Sequence, residues 1–219
     1  MSYKLVIFDM DGLMLDTEKF YYESWFKFSE EYGFEYNNEK RKQLAGMNGK
    51  KIKEIIAKEI GSKQKASELR NKLTEYRNEY FLNYKGDMKK EGLVNLLEFL
   101  KENNIKACVA SSSSREKISY LLKNQDIDHY FDFYVSGHEL ENGKPHPDIF
   151  LKALEESGLK KDGALILEDS FNGYKAAKAS GIDYLIIHDN SFKKDFDADK
   201  EASNLNEVIS YLNNKINIY

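Results

Sequence analysis

Hydrophobic and polar positions along this chain fall into two rhythms. Short apolar runs occupy Tyr3 to Phe8, Ile105 to Ala110, Phe131 to Val135, Ala164 to Leu167 and Tyr184 to Ile187. Runs of this length, rich in branched and aromatic side chains, predict strands covered on both faces, which is the condition of a parallel sheet. Between them apolar residues recur at helical spacing: Leu93, Leu96, Leu97 and Leu100, then Ile118, Leu121 and Leu122, then Ile149, Phe150, Ala153 and Leu154. Strand, helix and strand in this succession predict an α/β fold, a doubly wound parallel sheet with helices on both sides.

The first strand is separated from the second by a stretch, Thr17 to Gly86, that reads as helix and holds no convincing strand. Its first helix carries Tyr21, Trp25, Phe28 and Tyr32 on one face and stops at Gly33; a later one carries Leu69, Leu73, Tyr76, Tyr80 and Tyr84 before Gly86. Such stripes are the packed faces of a small helical bundle. The expected organisation is an α/β core of residues 1–16 and 87–219 with an inserted helical domain, 17–86. Asp189 to Ala202 reads as a charged surface stretch.

Composition narrows the classes of function. The 219 residues are 41% apolar, enough for a sizeable core in one domain with an insertion. Lys and Arg number 33 against 37 Asp and Glu, both signs scattered, so no basic stripe for a nucleic-acid backbone stands out. The longest apolar runs are of the Leu5 to Phe8 kind, far short of the ~18 residues of a membrane span. Met1-Ser2-Tyr3-Lys4 leads straight into a strand without the apolar stretch of a signal peptide, so a cytoplasmic protein is expected; it is also expected to be a monomer. The lone Cys108, between Ala107 and Val109, reads as a buried small residue. The histidines, His129, His138, His146 and His188, lack metal-binding spacing and read as structural or exposed.

Sheets of this kind bind ligands beyond the carboxyl ends of their strands. There the first strand delivers Asp9-Met10-Asp11-Gly12, the second Ser111-Ser112-Ser113-Ser114 and the fourth Glu168-Asp169-Ser170, while Lys144 follows the third in Gly143-Lys144-Pro145-His146-Pro147, a loop stiffened by both prolines of the chain. Four carboxylates at one edge repel one another unless a cation holds them, and oxygen ligands suit Mg²⁺. Mg²⁺ pairs with phosphate, so the serines and the lysine read as the other half of a phosphate clamp. A calcium loop is excluded, because counting from Asp9 its required Gly and Glu positions hold Met14 and Phe20.

In this order the segments resemble the four motifs of the haloacid dehalogenase superfamily of phosphatases and phosphomutases: Asp9 to Thr17, Ser111, Lys144 in Gly-Lys-Pro-His-Pro-Asp, and Glu168-Asp169-Ser170. The helical insertion is similar to the small cap of the β-phosphoglucomutase-like branch. The resemblance implies a small phosphorylated metabolite as substrate, Asp9 as nucleophile, and Asp11 as general acid and base, the natural holder of a proton among the acids. It also implies Lys144 as the clamping cation, and Ser111 with the N–H groups of Ser112 and Ser113 on the phosphate. Side chains of Asp9, Glu168 and Asp169 and the main-chain carbonyl of Asp11 would hold Mg²⁺. Asp16, Thr17 and Asn172 are expected to fix the loop and hinge. The second aspartate argues against dehalogenation, since halide leaves without a proton, and against a module that only binds. Between phosphatase and β-phosphoglucomutase, the mutase histidine is replaced by Tyr21 and the cap-loop arginine by Gly49. Lys50, one residue on, lacks arginine's bidentate fork, so phosphatase is the expectation.

Overall fold

Leu5, Val6, Ile7 and Phe8 are all fully buried, as a central strand must be when helices cover both its faces. They form β1 (Leu5–Phe8) in the computed structural model, which describes residues 3–188 and 196–216. Four helices follow without an intervening strand: α1 (Glu18–Phe28), α2 (Asn38–Leu44), α3 (Gly49–Ile60) and α4 (Lys63–Asn83). The chain then alternates through α5 (Leu93–Glu102), β2 (Lys106–Ser111), α6 (Arg115–Asn124), β3 (Phe133–Ser136), α7 (Asp148–Ser157), β4 (Ala164–Glu168), α8 (Phe171–Ser180) and β5 (Asp183–Ile187). It closes with β6 (Glu201–Ala202) and α9 (Leu205–Ile216).

The sheet runs in the order β3-β2-β1-β4-β5-β6, and every pairing is parallel. Successive strand residues point to opposite faces. Val6, Phe8, Val109 and Leu167 pack with Leu93, Ile118 and Val208, so α5, α6 and α9 cover one side. Leu5, Ile7, Cys108 and Ile166 pack with Phe150 and Ala176, so α7 and α8 cover the other. This is the doubly wound sheet that the apolar runs predict, and Cys108 is buried within it.

Two expectations are corrected. The stretch taken as merely charged surface contains β6, in which Glu201 and Ala202 pair with Ile186 and Ile187, while 189–195 lie outside the described residues. A two-residue strand carries too few side chains for a period to show, and only Ala202 turns inward. The first inserted helix ends at Phe28, and Tyr32 lies on a separate 3₁₀ turn, Glu30–Tyr32, closed by Gly33. That break returns Phe34 and Tyr36 onto Trp25, whose ring stacks on Tyr36 at 5.1 Å.

The inserted helices have their own core of Trp25, Phe34, Leu44, Ile56, Leu69 and Leu73. At their other end Phe20 and Phe81 join the main apolar layer, whereas Tyr80 on the α4 stripe is partly exposed. The entering and leaving chains run side by side: Asp16 N–H donates to Met88 O (2.8 Å), Lys90 N–H to Met14 O (2.9 Å), and Leu15 bridges to Lys89.

Candidate active site

The strand order reverses at β1, whose neighbours β2 and β4 lead away in opposite directions, opening a crevice beyond their carboxyl ends. Lys144 lies beneath it, fully buried. Its Nζ donates to Asp9 Oδ1 and Glu168 Oε1, both at 2.5 Å. Burial alone would strip the ammonium of its proton, but the two carboxylates overrule it and hold the pKa well above its usual value.

Glu168 is committed on both sides, since Oε2 accepts from the N–H groups of Asp169 (2.7 Å) and Ser170 (2.8 Å) and from Ser170 Oγ (3.1 Å). Expected among the metal ligands, Glu168 here balances the buried charge of Lys144 and fixes the turn into α8. Asp169 differs. Its Oδ1 is buried without a hydrogen-bond donor among the described residues. Gly12, at φ +94°, makes room for the other oxygen, because a Cβ there would stand 2.3 Å from Asp169 Oδ2. Burial, then Glu168, Glu18 and Asp9, push the Asp169 carboxyl far up. Burial likewise raises Asp9 to about 7, with Glu168 and Asp11 adding to it and Lys144 opposing. Lys144 engages only Oδ1 of Asp9, and the nucleophile candidate lines the open cavity.

Asp11 accepts from Thr17 Oγ1 (2.9 Å), Ser113 Oγ (2.8 Å) and Lys117 Nζ (3.3 Å). Burial would raise its carboxyl, but Lys117 and the hydroxyls together lower it. Asp11, expected to hold a proton among the acids, is favoured as a carboxylate in this conformation, whereas Asp9 and Asp169 are the carboxyls pushed up. Ser111, nearly inaccessible, accepts from Ser113 N–H at 3.1 Å, so that N–H, expected on phosphate, is engaged here. Ser112 Oγ donates to Gly46 O (2.8 Å), and Asn172 Nδ2 donates to Ala45 O (2.7 Å) and Gln43 O (3.2 Å), latching the loop before α3 onto the sheet edge. Thr17 and Asn172 thus touch acid and latch, while Asp16 lies 3.7 Å from Lys90 outside the cavity lining.

The crevice is roofed by the inserted helices into a cavity of about 260 Å³, lined by Asp9, Asp11 and the serines below and by Tyr21, Trp25, Arg70 and Arg77 above. Its size, near the lower end of the ~300–1,000 Å³ usual for small-molecule sites, fits a metabolite. Lys50 is exposed and does not line it, and Lys72 pairs with Glu31 at 2.7 Å. At Gly49 a Cβ would stand 3.2 Å from Arg70 Nη2, so Arg70 reaches the space that a side chain there would claim. Tyr21 lies between Lys117 Nζ, 4.6 Å from its ring, and the Arg77 guanidinium, at 4.5 Å. His138, expected to be structural or exposed, stands at the rim, its imidazole lowered by partial burial, Arg70 and Lys117. Sequence reasoning passed over Lys117 and Arg70. The available signals were the position of Lys117 in the first turn after the serine run and the spacing Arg70, Thr74, Arg77 beside the Leu69–Leu73 stripe.

Comparison with known proteins gives a consistent answer. Residues 6–187 match the family of haloacid dehalogenase-like hydrolases. A phosphorylated carbohydrates phosphatase of Thermotoga maritima is 32% identical over 84% of this chain and 85% of its own length. A probable pseudouridine-5'-phosphatase of Drosophila melanogaster is 31% identical over 84% of this chain and 80% of its own. In fold, the chain is similar to a β-phosphoglucomutase of Clostridium difficile, with a TM-score of 0.80 at 22% identity over 99% of this chain and 100% of that one.

Proposed function

Because the chain belongs to the haloacid dehalogenase-like hydrolase family, we propose that it is a Mg²⁺-dependent phosphatase of a small phosphorylated metabolite, a sugar phosphate, working through an aspartyl-phosphate on Asp9. The observation that carries this reading is the buried Lys144 bonded to both Asp9 and Glu168 beneath the cavity roofed by the inserted helices. A lysine so placed fixes the nucleophile and offers charge to an arriving phosphate.

The donor set fits a hard cation: Asp169 Oδ1 is a buried oxygen without a donor among the described residues, and burial with neighbouring acids disfavours the ionised forms of Asp9 and Asp169, which a bound cation would favour. Asp9, Asp169 and the main-chain carbonyl of Asp11 would hold it, and when bound it neutralises the phosphoryl group. An Asp9 carboxylate oxygen attacks phosphorus; the bond to the leaving alkoxide breaks, and Asp11 gives that oxygen a proton taken up with the substrate. Asp11, again a carboxylate, then takes a proton from water as the water oxygen attacks phosphorus and the bond to Asp9 breaks, releasing inorganic phosphate. The lowered pKa of Asp11 suits this second half.

In this reading residues 17–86 are the lid over a core of 1–16 and 87–219. Ser111 and main-chain N–H groups at Ser112 and Ser113 turn to the phosphate once the Ser113–Ser111 bond opens. Exposed large apolar side chains are spread over several helices, which supports a monomer, and the single buried thiol suits the cytoplasm. A phosphomutase is the second reading, favoured by Arg70 beside Gly49. Incubation with β-glucose 1-phosphate, Mg²⁺ and a trace of the bisphosphate separates them: free phosphate outrunning glucose 6-phosphate is expected, and efficient isomer formation with little free phosphate would overturn the phosphatase.

A further inference from the structure

We propose that Asn142 is a modification site of this chain: its side-chain amide is converted, without an enzyme, to aspartate and isoaspartate through a cyclic imide closed by Gly143, and the isoaspartate form disturbs the loop that carries Lys144.

Asparagine is followed by glycine at three places, Asn48-Gly49, Asn142-Gly143 and Asn172-Gly173. Ring closure brings the main-chain nitrogen of the second residue onto Cγ of the first, an approach that glycine, lacking a Cβ, hinders least. It also needs an amide side chain that is free to turn. The fold denies this at two of the three places. Asn48 is buried, and its Oδ1 caps α3 by accepting from Lys51 N–H at 2.9 Å. Asn172 is buried within α8, its Nδ2 held by Ala45 O and Gln43 O, and Gly173 N–H donates to Ser170 Oγ at 3.0 Å. Asn142 is exposed on a bend outside helix and strand, and Gly143 N–H donates to no acceptor among the described residues. Among those residues the Asn142 amide is held by one hydrogen bond, from Nδ2 to Asp148 Oδ2 at 3.0 Å.

The Gly143 nitrogen attacks Asn142 Cγ; the new C–N bond closes the imide as the Cγ–Nδ2 bond breaks, and the amide leaves as ammonia with the proton lost from Gly143. Water then opens the ring. Addition at Cγ breaks its bond to the Gly143 nitrogen and leaves aspartate; addition at the main-chain carbonyl carbon of residue 142 breaks the bond there and leaves isoaspartate. One water is consumed, one ammonia is released, and the chain gains a negative charge. An aspartate at 142 faces Asp148 in the first turn of α7, so a bond becomes a repulsion. Isoaspartate also routes the main chain through Cβ and Cγ, adding a carbon ahead of Gly143. The loop has no slack to absorb it. A Cβ on Gly143 would stand 2.3 Å from Asn48 Nδ2, and the next residue, Lys144, is fixed by Asp9 and Glu168. The added carbon pushes Gly143 onto Asn48 or draws Lys144 from Asp9.

The test is to age the purified protein at about pH 8 and about 37 °C, folded and in denaturant, since base activates the attacking nitrogen. Peptides around residues 48, 142 and 172 are then read by mass for amide-to-acid exchange, and with an isoaspartyl methyltransferase for isoaspartate. In denaturant the three sites should convert at comparable rates; in the folded protein 142 should convert while 48 and 172 are protected. Asn142→Gln, whose longer side chain closes the ring poorly, should stay unconverted at 142. The acidic fraction of aged wild type, isolated by anion exchange, should melt lower and release less phosphate from p-nitrophenyl phosphate than unaged protein. Asn142→Asp, which carries the charge without the extra carbon, should lose less of both, and aged Asn142→Gln neither. Protection of 142 equal to that of 48 and 172 in the folded protein would overturn the site. An acidic fraction matching Asn142→Asp in both melting temperature and turnover would overturn the link to Lys144. Mass and melting temperature need no turnover, so a protein that releases no phosphate would sink the phosphatase reading while those two readouts still decide this proposal.

Discussion

Lys117 Nζ stands 3.3 Å from Asp11 Oδ1 and 3.1 Å from Ser113 Oγ, tying the proposed acid–base residue to the first turn of α6. The ammonium favours the ionised form of Asp11, so removing it should let Asp11 keep its proton to higher pH. In Lys117→Met the alkaline limb of kcat/KM for an alkyl phosphate should move upward by about one pH unit. Superimposable pH profiles for variant and wild type would show that Lys117 does not tune Asp11.

Asp9→Asn preserves shape while removing the nucleophile, and Lys144 keeps its bond to Glu168. Turnover should fall by about a thousandfold or more with the far-ultraviolet circular dichroism unchanged. Activity within tenfold of wild type in purified protein would exclude an aspartyl-phosphate on this residue.

The raised carboxyls make metal binding and pH interdependent. Asp9 takes up its proton at about 7 in the fold, against about 4 in an unfolded chain, so the folded state holds the extra proton between these values. Stability of the metal-free protein should therefore fall as pH rises through that window. A bound cation offsets the ionised acids, so the gain in melting temperature on adding Mg²⁺ should be larger at about pH 8 than at about pH 5. Equal gains at the two pH values in thermal unfolding would refute the coupling.

Asn172 offers a test of the latch. Replacing it with Ala leaves the carbonyls of Gln43 and Ala45 without their donor. Stability should drop by about 1–2 kcal/mol in denaturant titration, and KM should rise more than kcat falls. An unchanged KM would mean that the loop before α3 closes without this contact.

What could be foreseen from the chain followed from how physics writes itself into a sequence. Leu5 to Phe8 ending in Asp9, and Ala164 to Leu167 ending in Glu168 and Asp169, announce buried strands that deliver acids to one edge. Those acids do gather around Lys144. The allotment of partners was not legible. Whether Glu168 faces an ion or a lysine depends on main-chain N–H groups at Asp169 and Ser170, which every sequence has. Lys117 and Arg70 look like ordinary solvated lysine and arginine until the helices carrying them are placed over the crevice. The opposite case is β6, where Ala202 is a single inward side chain in a charged stretch and no period announces it.

The paired chain segments at Asp16 and Met88 have a consequence for how this molecule can be rebuilt. Because the insertion leaves and rejoins at two points already hydrogen-bonded to each other, its length and sequence are free of the registers of β1 and β2. A splice there closes a loop whose ends already meet, so the entropy of joining them is small. The helices carrying Trp25, Arg70 and Arg77 are in that sense a cassette, exchangeable as a unit between chassis that share Asp9 and Lys144, and preference for one metabolite over another would travel with it.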